Sequence, residues 1–198
     1  MKVWMSAFFC LAVLGGCTSL GGQGSDPARD TAAYLAPDLR LDLPDPASMG
    51  HNVEAVQMVT AHRDGRTIVF EAHLSITAER VLLVGVDATG QRLMTVTWRG
   101  SRINVETAPV LPKEVRPGAM LADIVTIYWP EQVVRQALRS SGADLSVTAE
   151  GRTVTLRGRP ILRADYHGGS AHPWQAGLSY RNLAWGYDID VVPLQVSE

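Results

Sequence analysis

The sequence lacks a surplus of either charge. Its 18 lysines and arginines are balanced by 20 aspartates and glutamates, and the formal net charge is −2. The arginines are scattered along the chain and form no basic cluster. Because nucleic-acid binding depends on a concentrated positive surface, this balance excludes nucleic acid as a partner.

Apolar runs of membrane-spanning length are also lacking. The run VWMSAFFCLAVL, residues 3–14, has about a dozen residues, whereas a membrane-spanning helix needs roughly twenty. It follows the positive start Met1-Lys2 and has the length of the apolar core of a secretory signal peptide. The sequence therefore predicts that the chain is exported.

Cysteine is nearly absent, with Cys10 and Cys17 the two in the chain. Cys17 ends the motif LGGC, which resembles the lipobox of bacterial lipoproteins. The resemblance implies that Leu14, Gly15 and Gly16 precede the cut, so that cleavage follows Gly16. Cys17 then carries a thioether-linked diacylglycerol and an N-acyl chain. Several acyl chains on one residue anchor a protein stably, whereas a single chain is marginal.

The two cysteines therefore have different predicted fates. Cys10 is discarded with the signal peptide and Cys17 is capped by lipid, so neither a disulfide nor a cysteine metal site is available to the mature chain. The residue after Cys17 is Thr18. In enterobacterial sorting an aspartate at that position retains lipoproteins in the inner membrane, so threonine predicts the periplasmic face of the outer membrane.

Three segments are predicted along the chain. Residues 1–16 are the lipoprotein signal peptide, and residues 17–37 are the acylated cysteine and a flexible tether rich in Gly, Ser, Asp, Pro and Ala. Residues 38–198 are a single domain, which is long enough to bury a substantial core.

Most of that domain has the period-two pattern of strands. In TIVFEAHLSIT, every second residue from Ile68 to Ile76 is apolar, which is typical of a half-buried antiparallel strand. Such segments and the turns between them predict about five strands, two helices and about five further strands. A long antiparallel meander curls to hide its edges. The predicted fold class is mainly β (α+β), a curled sheet or half-open β-barrel of about ten strands with two short central helices over its concave face.

The helical region is MLADIVTIYWPEQVVRQAL, residues 120–138. Its apolar residues fall on one helical stripe: Met120, Leu121, Ile124, Val125 and Tyr128. Pro130 interrupts the pattern and disfavours helical geometry at Trp129, which predicts two short helices meeting at a sharp corner. Asp123 lies within the first helix and needs a partner or solvent. It is interpreted either as paired with a strand arginine or backbone donor, or as lining a cavity.

Residues for catalysis or cofactor binding are scarce. None of the five histidines belongs to a metal-binding motif, and no complete phosphate-binding loop occurs, so we predict no metal, no cofactor and no enzyme activity. The loop YHGGSAHPW places Ser170 and His172 two residues apart without a nucleophile elbow. A long hairpin loop explains it more simply. A hydrolase that uses Ser170 or His172 is kept as the least favoured alternative.

Three segments together resemble a family of uncharacterised Gram-negative lipoproteins that carry a domain of unknown function. They are ATGQRLMTVTW, the helical region quoted above, and PWQAGLSYRNLAWGYDIDV. Members are similar in outline to the LolA/LolB lipoprotein-carrier fold and occur in gene clusters for aryl polyene lipids. The resemblance implies a carrier fold with helices over a hollow, and no established catalytic residues.

The function predicted from these observations is lipid handling at the outer membrane. The protein would bind a lipid or acylated product in a hydrophobic cavity and assist its transport to, or assembly in, the outer membrane. Other envelope transport proteins are the predicted partners. A structural or interaction lipoprotein with a filled interior is the alternative. The candidate cavity residues are Met120, Leu121, Ile124, Val125, Tyr128, Trp129, Phe70, Leu83 and Trp98.

Overall fold

The structure, a computed structural model, describes residues 33–112 and 115–198. These residues form strands and two α-helices. The strands are β1 (Tyr34–Ala36), β2 (Leu39–Arg40), β3 (Val53–Arg63), β4 (Arg66–Ile76), β5 (Val81–Val86), β6 (Arg92–Arg99), β7 (Arg102–Thr107), β8 (Ala143–Val147), β9 (Gly151–Leu156), β10 (Arg159–His167), β11 (Gly177–Asn182) and β12 (Tyr187–Ser197). The helices are α1 (Pro117–Tyr128) and α2 (Glu131–Leu138). In these ranges neither helix has the length and apolar character needed to cross a membrane.

Ten of the strands form one antiparallel sheet in the order β7-β6-β5-β4-β3-β12-β11-β10-β9-β8. The sheet consists of two five-strand meanders, and β3 pairs with β12 to join them. Both helices lie between the two meanders in sequence, as the change of period predicts. The predicted fold class, a curled sheet of about ten strands with two short helices, is confirmed.

The turns follow from local backbone chemistry. Asp64 and Gly65, which join β3 to β4, both have positive φ, at 50° and 73°. A two-residue hairpin turn of this kind needs left-handed backbone at both positions, which Asp-Gly tolerates. Trp129 is extended, with φ −69° and ψ 155°, and this ends α1 at the predicted corner before Pro130.

The core lies on the concave face of the sheet. Alternate residues of both meanders point inward and are buried, including Phe70 and Leu74 of β4 and Leu162 and Ala164 of β10. Helix α1 packs into this face and is more deeply buried than its stripe predicts. Asp123 and Thr126 are buried too, although both are polar. The single-stripe prediction is therefore too narrow, because the helix is enclosed rather than laid on a surface.

The predicted end of the tether at residue 37 is wrong. Tyr34–Ala36 forms β1, which pairs with β2, and Leu35 and Ala36 are fully buried. The Asn182 amide also donates to the Leu35 carbonyl oxygen at 3.0 Å. The folded part therefore includes residues 33–37. A short apolar triplet in a polar segment gives no period that sequence reasoning can detect. The remainder of the predicted tether and the signal peptide lie outside the described residues.

Candidate functional site

A cavity of about 640 Å³ opens at one end of the sheet. The β3–β4 hairpin, the start of β6, the turn before β12 and the N-terminal end of α1 surround it. Most of its wall is apolar: Ala61, Ile68, Phe70, Leu93, Met94, Leu111, Pro112, Val115, Ala119, Met120, Trp185 and Ile189. A largely apolar cavity with a few polar groups at its edge is the usual form of a small-molecule site.

Charged residues border the opening of this cavity. Arg63, Asp64 and Arg66 come from the β3–β4 hairpin, and Arg116 precedes α1. The guanidinium of Arg116 lies 4.0 Å from the centre of the Trp185 ring. Arginine on an aromatic face gains a cation–π contact while its charged edge stays in water. The opening therefore combines a polar edge with an apolar interior.

A second, smaller cavity of about 60 Å³ lies beneath α1, between the helix and the sheet. Phe70, Met120 and Ile189 line both cavities. These three side chains therefore form the partition between the open cavity and the space under the helix. Met120 is unbranched and flexible, so the partition contains a side chain that can move with little strain.

Asp123 projects from α1 into the smaller cavity and is buried. One of its carboxyl oxygens accepts a hydrogen bond from the Tyr180 hydroxyl and the other accepts one from the Tyr187 hydroxyl. Burial raises the pKa of the Asp123 carboxyl to about 7, although the tyrosine hydrogen bonds oppose this. Burial raises the pKa of both tyrosines well above the usual value. The cluster ties α1 to β11 and β12.

The comparisons with known proteins identify the family. The family described as protein of unknown function (DUF3261) matches residues 54–195. The chain belongs to this family. The match covers the sheet from β3 to β12 together with both helices, so the cavity of this DUF3261 chain lies within the matched region.

Two solved structures are similar to the DUF3261 chain at low identity. A LolA superfamily protein from Nitrosomonas europaea matches with a TM-score of 0.39 and 9% identity, over 77% of this chain and 89% of that chain. A domain from Vibrio parahaemolyticus described as an outer membrane lipoprotein-sorting protein has a TM-score of 0.34 and 6% identity, over 74% and 84%. No curated protein matches the chain.

The structure divides the nine predicted cavity residues into two groups. Five line one or both cavities: Phe70, Leu83, Met120, Ile124 and Tyr128. The other four lie in the packed core: Leu121, Val125, Trp98 and Trp129. In this core the Trp98 and Trp129 rings lie 5.9 Å apart, centre to centre. These four residues line neither of the two cavities, and helical periodicity does not show which side of a buried helix faces open space.

Sequence reasoning missed the residues that form the opening. Ile68 shares the inward face of β4 with Phe70, so the strand alternation contained that signal. The position of Trp185 beside Arg116 is a tertiary contact between segments about 70 residues apart in sequence, which the sequence pattern does not indicate. Asp123 was predicted either to pair with an arginine or backbone donor or to line a cavity. It lines the smaller cavity, and its hydrogen-bond partners are two tyrosine hydroxyls.

Two serines of the described residues have hydrogen bonds that differ from those of a catalytic triad. The Ser170 hydroxyl donates to the Thr148 carbonyl oxygen at 3.1 Å, which leaves it without an activating base. On the outer face of the sheet, Ser179 donates to Asp190 at 2.7 Å and contacts His167 Nε2 at 3.0 Å. In a catalytic triad the carboxylate accepts a hydrogen bond from the histidine, whereas here the Asp190 carboxylate accepts one directly from the Ser179 hydroxyl.

Proposed function

We propose that this protein is a membrane-anchored periplasmic lipoprotein that binds a lipid or acylated product in the cavity beside α1 and assists its transport to, or assembly in, the outer membrane. The observation that carries the proposal is the open apolar cavity of about 640 Å³. This volume falls within the range of about 300–1,000 Å³ that is common for small-molecule sites. A structural lipoprotein with a filled interior needs no such space.

Two further observations support a lipid carrier. The cavity wall needs no acid, base or nucleophile for its role, since burial of an acyl chain is driven by the hydrophobic effect. The lipobox-like LGGC at residues 14–17 supports a position of the domain at a membrane surface, and Thr18 favours the outer membrane. Envelope transport proteins that deliver or receive the ligand are the expected partners. The family resemblance implies an association with aryl polyene gene clusters, and an aryl polyene lipid is therefore a candidate ligand.

Helix α1 is the candidate lid, because its two ends are held differently. At its C-terminal end, Arg152 Nη1 donates to the carbonyl oxygens of Thr126 and Trp129 at 3.0 and 2.6 Å, and the Tyr166 hydroxyl donates to that of Ile127 at 2.6 Å. At its N-terminal end, no side chain of the described residues caps the helix. A small rotation about the C-terminal end would move Met120 and join the two cavities.

A cavity-filling substitution tests the proposal. Ala61 lines the cavity on the inner face of β3, and Ala61→Phe places a ring in the ligand space. Thr60→Phe is the matched control, since it adds a ring to the outer face one residue earlier on the same strand. The readout is native mass spectrometry after incubation with an envelope lipid extract. We expect the wild type and Thr60→Phe to retain lipid and Ala61→Phe to retain at least about tenfold less.

Two results would contradict the proposal. One is that the wild-type protein retains no lipid from the extract. The other is that Ala61→Phe, with an unchanged melting temperature, retains as much lipid as Thr60→Phe, because lipid would then bind outside the cavity.

A further inference from the structure

The opening of the cavity has more positive than negative charge. Among the described residues that line it there are three arginines, Arg63, Arg66 and Arg116, and one carboxylate, Asp64. His62 also lines the cavity, and its Nε2 lies 3.8 Å from the Asp190 carboxylate outside it. Among the described residues, the positive groups therefore outnumber the negative ones where a ligand would enter.

The β3–β4 hairpin concentrates two of these charges. Arg63 and Arg66 are directly opposite each other in the strand register, and like charges in this position repel. Asp64 lies 3.4 Å from Arg63 and offsets that charge. Arg66 is exposed, and no carboxylate in residues 33–112 or 115–198 lies within ion-pair distance of it. Its charge is available to a ligand at the opening.

Arg116 is held at the boundary between water and the apolar wall. Its guanidinium rests on the Trp185 ring, 4.0 Å from the ring centre, and the residue is exposed. The planar guanidinium fits carboxylate and phosphate groups with two parallel hydrogen bonds. The stacking fixes this side chain in place, so less conformational entropy is lost when an anion binds.

Trp185 adds an independent observation at the same place. Its indole Nε1 is buried and has no hydrogen-bond partner among the described residues, although the residue lines the cavity. Buried indole N–H groups normally find an acceptor. An oxygen-rich group held by Arg116 would lie beside this ring.

We propose, building on the function proposed above, that the ligand is an anionic amphiphile: a lipid with a phosphate or carboxylate head group. The head group binds Arg66 and Arg116 at the opening, and the chain lies against Ile68, Phe70 and Met94 inside. The arginines at the opening thus recognise the charged head group, and the apolar interior accommodates the hydrocarbon chain.

A displacement assay separates the two contributions. It uses the mature chain, residues 17–198, with Cys17→Ser. This protein keeps every described residue and lacks both the apolar signal peptide and the acyl group, either of which would require detergent. The neutral fluorophore 1-N-phenylnaphthylamine fills the cavity, and decyl phosphate, decanol and inorganic phosphate are the competitors. We expect decyl phosphate to displace the probe at a concentration about tenfold lower than decanol does. Raising salt from about 50 to about 500 mM is expected to reduce this preference.

Charge-removing variants assign the preference to named residues. Arg66→Gln and Arg116→Gln are each expected to reduce the decyl phosphate preference at least about threefold, with decanol displacement unchanged. Arg159→Gln is the control, because Arg159 is exposed at the β9–β10 turn and does not line the cavity. Arg66 lies in a hairpin outside both helices, so its variant remains informative if loss of Arg116 perturbs the start of α1.

The outcomes distinguish this inference from the proposed function. Equal displacement by decyl phosphate and decanol would overturn the anionic head group and leave the lipid-binding function intact. An unchanged preference in both arginine variants would overturn the assignment to the opening. Competition by inorganic phosphate alone would assign the opening to free phosphate, also against the inference. Failure of the probe itself to bind would contradict the lipid cavity and this inference together.

Discussion

Asp123 shows what burial does to a single residue in this protein. Its carboxyl lies under α1 with two tyrosine hydroxyls as donors, and burial raises its pKa to about 7. The folded protein therefore holds a proton that the unfolded chain releases near its ordinary pKa of 3.8. The contribution of Asp123 to the free energy of unfolding is therefore fully present below about pH 4 and is lost as the pH rises to about 7.

Asp123→Asn is expected to remove that pH dependence. The wild type should lose roughly 2–3 kcal/mol of unfolding free energy from pH 5 to pH 8 relative to the variant, because the variant carries no titrating group at this position. Urea denaturation of both proteins at the two pH values measures the difference. Parallel pH profiles would show that Asp123 is ionised at both pH values.

At the scale of elements, the C-terminal end of α1 depends on one buried cation. Arg152 donates to the Thr126 and Trp129 carbonyl oxygens, which the helix itself leaves unpaired. Its charge also complements the negative end of the helix dipole.

Arg152→Met is expected to lower the unfolding free energy by about 2–4 kcal/mol, since two buried carbonyl groups lose their donor. Arg163→Met is the control, because Arg163 pairs with Asp165 at 2.9 Å on the exposed face. Arg163→Met should lower the unfolding free energy by no more than about 0.5 kcal/mol. Equal costs in chemical denaturation would argue against Arg152 as the anchor of α1.

Strand β1 is the other element whose role can be tested. A chain that begins at Asp38 loses the fully buried Leu35 and its carbonyl bond to Asn182, whereas a chain that begins at Ala33 keeps both. We expect the shorter chain to be less stable by at least about 2 kcal/mol, mainly from the lost leucine burial. Thermal and urea unfolding of the two chains provide the measurement. Identical stability would show that β1 is dispensable.

For the whole molecule, the two cysteines provide a matched pair of substitutions. Cys17→Ser removes the proposed acylation site, so the protein is expected to lose labelling by radioactive palmitate. Cys10→Ser changes a residue of the proposed signal peptide and is expected to leave the labelling unchanged. Palmitate labelling of the Cys17→Ser protein equal to that of the wild type would contradict the lipoprotein proposal.

The strands were predictable because each carries its own signal. The alternation around Phe70 and the turn at Asp64-Gly65 are local, and local chemistry settles them in any tertiary context. The corner at Trp129-Pro130 is local in the same sense. The cavity was only partly predictable: Met120 and Phe70 were identified as walls, whereas Leu121 and Trp98 lie in the core. Which side of α1 is packed depends on strands far away in sequence.

The sequence by itself determined the order of strands and helices, the positions of the turns and the proposed point of lipid attachment at Cys17. These depend on period, proline, glycine and short motifs, all of which act over a few residues. Only the tertiary structure decided that β1 belongs to the domain, that Asp123 meets Tyr180 and Tyr187, and that Arg66 and Arg116 border one cavity. These depend on how the sheet curls around α1, which brings together residues that no local pattern relates.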